Sequence, residues 1–472
     1  MNSNKKTLEM YGGIWGGLVP LFVLISVLIW LSVAERGGTS AFWAGGWLAI
    51  VAGLLFAKNK KDYCGSIMRG LGDKNGIVII TAWIFAGVFG KLMVAGGLVE
   101  GLLWFGLKTG AEGALFTLLA FIAAMLFSLG TGTSTGTVLS LIPVLYPAGV
   151  FLGANPAMLA AGILSGAAFG DNLAPVSDTT IVSAYTQEAT MKDVVRSRFP
   201  LAISAAGISA VVLLITGGGG SVTNMPEIKA AMDPAGLLML LSFAIVVAAA
   251  LSGRHILESL IYGNISAIIF GMLNGKLGLS AVLHIPAKRG ESTGLIESGI
   301  SGVVGAIIFA LLVLAVTQVL VESGVLTNLL SWAQRTISKT VRQAEAVIVA
   351  TTILASIPIA ANAPALLLVG PGFVKPLGEK FNLAPARRAN LMDCAVCTIF
   401  FTLPWHIAVI VWYGSLSSAA QSWHLPLPSI GAAAMNPYSW ALLGVLLFSV
   451  LTGWNRKYAE PDTLVSESVQ KA

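Results

Sequence analysis

The chain has 472 residues, 56% hydrophobic and only 11% charged, with 28 basic against 22 acidic side chains, a net charge of +6 and a mean hydropathy of +0.83. Soluble domains carry roughly 25% charged residues, so this chain has too little charge to clothe a water-facing surface. An ordinary soluble enzyme, a disordered chain and a coiled coil are excluded, and an all-α polytopic membrane protein is predicted, in which 53 glycines and 19 prolines are at home.

In chain order, apolar stretches able to cross or enter a bilayer run over 12–33, 41–57, 77–99, 114–129, 135–151, 156–170, 199–216, 235–252, 256–273, 299–321, 344–360, 363–374, 390–413 and 437–453. Several are short and suit the legs of re-entrant hairpins, which gives about ten to fourteen membrane segments and no soluble domain. The first run, from Ile14 to Val33, is too long for a signal-peptide core and lacks a cleavage site, so it reads as a retained span. Basic clusters between the runs mark the cytoplasmic side: Lys5-Lys6; Lys58 to Lys74, which includes Cys64 in a basic loop; Lys192, Arg196 and Arg198; Lys288-Arg289; Arg335 to Arg342; Lys375 to Arg388; and Arg456-Lys457. They place the N-terminus inside and read as topology signals, not as a nucleic-acid surface. Residues 331–343 suit an interfacial helix. The division expected is 1–75 for N-terminal spans and a basic loop, 76–217 for a first repeat, 218–298 for linking spans, 299–455 for a second repeat and 456–472 for a polar tail.

The interruptions carry the chemistry, because non-helical backbone at membrane depth must be buried in protein or line a wet cavity. Gly130 to Thr137 reads GTGTSTGT; its glycines permit a break, and Thr131, Thr133, Thr135 and Thr137 with Ser134 supply neutral oxygens for a hard cation such as Na+. The competing reading is close helix packing through small residues. Gly170 to Thr180 reads GDNLAPVSDTT; Asp171, Asn172, Ser177, Asp178, Thr179 and Thr180 cluster around Pro175, which disfavours an unbroken helix. Carboxylates at membrane depth are ion or proton sites by default; otherwise the stretch is a surface loop with Asp178 capping a helix.

In the second half, Pro358 to Pro364 breaks another apolar run around Asn362. Asp393 and Thr398 follow, leading to Thr402-Leu403-Pro404-Trp405-His406, in which His406 either relays protons or only hydrogen-bonds across the bundle. Three cysteines make no disulfide framework, and Cys394 and Cys397 lack a second pair or histidine set for a metal or redox site. No GxxxxGK[ST] or HExxH motif is present, so neither an ATP-driven pump nor a membrane enzyme is expected. Each half thus holds a broken apolar segment followed by one with Asp, Thr and Pro, and corresponding breaks in two halves point to a transporter's central site.

These residues resemble the NhaC-type Na+/H+ antiporter family within the ion-transporter superfamily. The resemblance is carried by GTSTGT at 132–137, FGDNLAPVSDTT at 169–180 and ARRANLMDCAVCTIFFTLPWH at 386–406, and it covers about 75–415. The chain departs from the family pattern at Thr135 (usually Trp), Ala174 (usually Ser), Met392 before Asp393 (usually Glu) and His406 (usually Asn), and 361–364 lacks the family's hydroxyl cluster. The resemblance implies two inverted-topology repeats with broken helices. It also implies Na+/H+ exchange across a bacterial inner membrane, with no cofactor beyond Na+ as transported or coupling ion. Asp171 and Asp178 would hold metal ion or proton in turn. A Na+-coupled carrier of a small organic carboxylate or amino acid is the alternative, with Arg387 and Arg388 as helpers or as flanking charges. A homodimer stays open, since no interface is legible.

Overall fold

The computed structural model describes residues 8–33, 39–72, 74–220, 232–284, 294–325, 339–357, 359 and 362–459. Among these the chain is helical, with no strand beyond two isolated bridges. The first half comprises α1 (Ile14–Val33), α2 (Thr39–Phe56), α3 (Lys60–Leu71), α4 (Lys74–Ala95), α5 (Leu98–Thr109), α6 (Gly113–Thr131), α7 (Ser134–Phe151), α8 (Pro156–Leu173), α9 (Asp178–Gln187) and α10 (Met191–Thr216). The second comprises α11 (Leu240–Leu251), α12 (Ile256–Leu273), α13 (Leu295–Glu322), α14 (Val341–Ser356), α15 (Asn362–Val369), α16 (Lys375–Lys380), α17 (Pro385–Ile399), α18 (Ile407–Ser422) and α19 (Pro437–Thr452). Among the described residues eight helical stretches, counting α8 and α9 as one, are long and apolar enough to cross a membrane, and the bent pair α4–α5 makes a ninth. The shorter apolar helices at Ala41–Phe56 and Pro437–Thr452 add to these. The chain is a multi-pass membrane protein.

Several segments differ from the sequence expectation. The basic loop around Cys64 is helix α3, started by Asn59, whose side chain accepts from Lys61 N and Asp62 N. The run 77–99 does not end at 99; it bends by 58° at Gly96-Gly97 into α5, Gly97 having φ +86°. The run 390–413 is not one segment, for α17 ends at Ile399 and α18 starts at Ile407, with Pro404 between. Of the interfacial helix at 331–343, residues 331–338 lie outside the described residues, and the remainder leads into α14, opened by a capping box between Thr340 and Gln343.

Helices α7 and α8 form the centre, almost wholly enclosed by the rest. Small residues make this possible, because they let backbones approach where no hydrophobic force drives helices together in lipid. Helix α8 crosses α6 so closely that a Cβ on Gly170 would sit 2.3 Å from Ser128 Cβ and 2.4 Å from Leu129 N, and Ser128 Oγ donates to Ala167 O at 2.7 Å. Because backbone cannot yield as a side-chain tip can, Gly170→Ala is expected to cost about 3 kcal/mol or more. A lowered midpoint of thermal unfolding in detergent checks it.

Candidate functional site

Two of the breaks meet. Helix α6 ends at Gly132, whose φ of +66° turns the chain, and Thr133 caps α7 by accepting from Gly136 N. A side chain at Gly132 would fall 2.9 Å from Ser177 N, so the 130–137 and 171–180 stretches are in contact. Asp171, in the last turn of α8, accepts from Ser134 Oγ at 2.9 Å and from Ser177 Oγ at 2.8 Å. Ser134 opens α7 and Ser177 caps α9, so one buried carboxylate ties three helix ends together. Thr179 Oγ1 donates to Asp171 O at 3.2 Å and lies 3.0 Å from Ser177 Oγ. Asp178 is the first residue of α9 and has accessible surface, which opens onto a cavity.

That cavity, about 440 Å³, draws on all four interruptions. Thr131, Thr133, Ser134 and Thr135 line it from the first, Asp171 and Asp178 from the second, Asn362 from the third and His406 from the fourth. Trp83, Ile80, Ile181 and Leu314 supply apolar wall. Thr131 Oγ1 donates to Phe127 O, and Thr137 Oγ1 to Thr133 O, each within its own turn, and Thr137 does not line the cavity. His406 is a helix cap, its Nδ1 accepting from Ala408 N, with its ring edge-on to Phe400. That bond leaves Nε2 to carry the proton, and neither Nε2 nor Asn362 Oδ1 has a partner among the described residues. Thr398 stands apart from the cavity, donating to Ala395 O.

Asp393 is not a lone carboxylate. It is fully buried and pairs with Arg198 Nη1 at 2.6 Å, while Ser183 Oγ (3.0 Å) and Cys397 Sγ (3.4 Å) also donate to it. Arg198, expected among the topology signals, is equally buried; it donates to Asn172 O and, from Nη1, to Thr180 Oγ1, and from Nε to Asn390 Oδ1. Asn172 accepts from Tyr438 OH at 3.0 Å and reaches Asp393 through Nδ2, so it serves this knot and not the cavity. A charge at membrane depth must find a partner, and Arg198 found one on a distant helix. Arg387 and Arg388 are likewise buried, neither flanking charges nor cavity residues. Arg387 Nε and Arg456 Nη2 both hold Glu345, each at 2.7 Å, and Arg388 Nη2 donates to Gln187 O. Glu345 escaped the sequence reading, although a single acid in the apolar run 344–360 was signal enough.

The profile of the Na+/H+ antiporter family matches residues 12–218 and 225–451. The "Malate-2H(+)/Na(+)-lactate antiporter" of Bacillus subtilis is 29% identical over 199 residues, 42% of this chain; the alignment spans 41% of that relative's length. An "Uncharacterized Na(+)/H(+) antiporter" of Haemophilus influenzae is 23% identical over 80% of this chain and 81% of its own. The "Arginine/ornithine antiporter ArcD" of Halobacterium salinarum is 25% identical over 85% of each chain.

Proposed function

The chain belongs to the Na+/H+ antiporter family, a family of membrane transporters and not of enzymes, and from that premise we propose that it exchanges Na+ for H+ by secondary active transport, with Asp171 and Asp178 as the shared seat. The observation that carries this reading is the meeting of four helix breaks on one cavity that holds two carboxylates. Na+ wants oxygen ligands, and the site offers the Asp171 and Asp178 carboxylates with the hydroxyls of Thr133, Ser134, Ser177 and Thr179 close by. A carboxylate that holds either a proton or a metal ion couples the two fluxes, provided the empty, charged site does not cross between faces. Alternating exposure would come from one half rocking against the other around the site. The chain would lie in a bacterial cytoplasmic membrane with its N-terminus inside.

A second reading has its own support. The cavity of about 440 Å³ is far larger than a bare ion requires, and His406 and Asn362 bring neutral hydrogen-bonding groups to it. Two relatives are named for organic substrates. A small carboxylate or amino acid exchanged with Na+ or H+ fits that space.

Reconstituted protein with a trapped pH dye, given Na+, Li+ or K+ gradients with and without small organic acids and amino acids, separates the two. Na+ alone is expected to drive proton movement. Competition between the two cations for one carboxylate raises the apparent KM for Na+ by about tenfold per unit fall in pH on the acid limb. Proton movement that needs an organic solute would replace the first reading with the second.

A further inference from the structure

Helices α4, α7, α18 and α13 pack in a ring, each against the next. One end of the ring bounds the large cavity, at Trp83, Thr135, Ala408 and Leu314. The other end holds a separate groove of about 70 Å³, lined by the same four helices further along: Lys91 on α4, Leu139 on α7, Gly302 on α13 and Ser415 and Ser418 on α18. Between the two levels stand buried Ala86, Val138, Ala306 and Val411. This barrier is built of small or short side chains on tightly crossed helices, for a Cβ on Gly87 would meet Gly299 O at 2.6 Å and one on Gly90 would meet Leu139 O at 2.9 Å.

The groove has its own chemistry. Lys91 is a half-buried cation with no ion-pair or hydrogen-bond partner among the described residues, in a run otherwise apolar from 77 to 95. Among the described residues no carboxylate lines the groove with it, whereas the other cavity has two. Ser418 lines the same groove, and Gly302 opens onto free space. An ionisable side chain at such a place marks a solute path by default, and an ammonium with hydroxyls attracts and orients an anion.

We propose that this groove is the second mouth of the translocation path, and that Lys91 makes it a collecting site for a small carboxylate anion. The path then runs from an anion-attracting groove to a cavity with carboxylates, separated by one thin layer. The mouth rests on the second reading above, exchange of a small carboxylate; the anion site does not.

The full-length purified chain carrying Cys64→Ser, its exposed thiol removed while Cys394 and Cys397 stay buried, would receive Gly302→Cys or, as an independent and nearly isosteric probe, Ser418→Cys. Labelling by an anionic sulfonatoethyl methanethiosulfonate is compared with a cationic trimethylammonium analogue, each rate divided by its rate with a free thiol. The anionic reagent is expected to react about tenfold faster, Lys91→Gln to erase the preference, succinate to slow labelling, and the labelled protein to lose transport after reconstitution. Equal rates for the two reagents, or a preference unchanged in Lys91→Gln, would overturn the anion site. Loss of the preference on adding phosphatidylglycerol but not succinate would make the groove a lipid-headgroup site and overturn the proposal. Labelled protein transporting at full rate would overturn the mouth. Because labelling requires no transport, a failed antiport reading shows itself in the unlabelled protein and leaves the anion test standing.

Discussion

Asp171→Asn is expected to abolish Na+-driven proton movement in proteoliposomes while leaving the protein folded. Asparagine keeps the shape and one acceptor for Ser134 or Ser177, so the helix ends stay together, but the negative charge is gone. A unit charge at 4 Å and an effective dielectric of about 20 is worth about 4 kcal/mol, roughly a thousandfold in cation affinity. The group also can no longer carry a proton in exchange. Asp178→Asn should fall in the same direction, since Asp178 faces the same cavity without the paired serine bonds of Asp171. Sodium-driven alkalinisation measured by pH dye, with Na+-dependent thermal stabilisation as a binding readout, checks both. Survival of coupled flux in both single variants would show that neither carboxylate carries the exchange.

The second large effect concerns stability. Arg198→Met, or Asp393→Asn, strips one partner from an ion pair whose two side chains are wholly buried. Removing one member of such a pair costs about 3–5 kcal/mol, because the other is left charged or unbonded in a poor solvent. Arg198 also holds Asn172 O, Thr180 and Asn390, so its loss loosens α8, α9 and α17 together. The double variant Arg198→Met/Asp393→Asn should lose less than the sum of the two singles, since it leaves no orphaned charge. A double-mutant cycle on thermal or denaturant unfolding in detergent measures the coupling. Additive losses would mean that the two charges do not depend on one another. The consequence for function is that Asp393 braces the segment carrying Asp171 and Asp178, through Asn172 and Ser183, instead of lining the cavity.

The membrane class, most helix positions and the four interruptions were legible in the residues, for each rests on local physics. A run of apolar side chains partitions into lipid by its own length, and glycine or proline amid polar residues, as at 132 and 175, favours a break, whereas Pro20, Pro143, Pro147 and Pro200 in apolar runs stay inside helices. Asp171 and Asp178 were legible too, because carboxylates inside an apolar run announce a cost that something must offset. The readings that failed were of another kind. Arg198, Arg387 and Arg388 look in sequence like any flanking basic cluster, and Asp393 looks unpaired. Whether a charge faces water, the cavity or a partner is set by which distant helix packs beside it, and no spacing along the chain encodes that. Local composition therefore determined where the chain breaks and which groups are expensive to bury. Only the tertiary packing decided that all four breaks share one cavity, and that Arg198 and Asp393 neutralise each other away from it, because burial is a property of neighbours brought together by the fold.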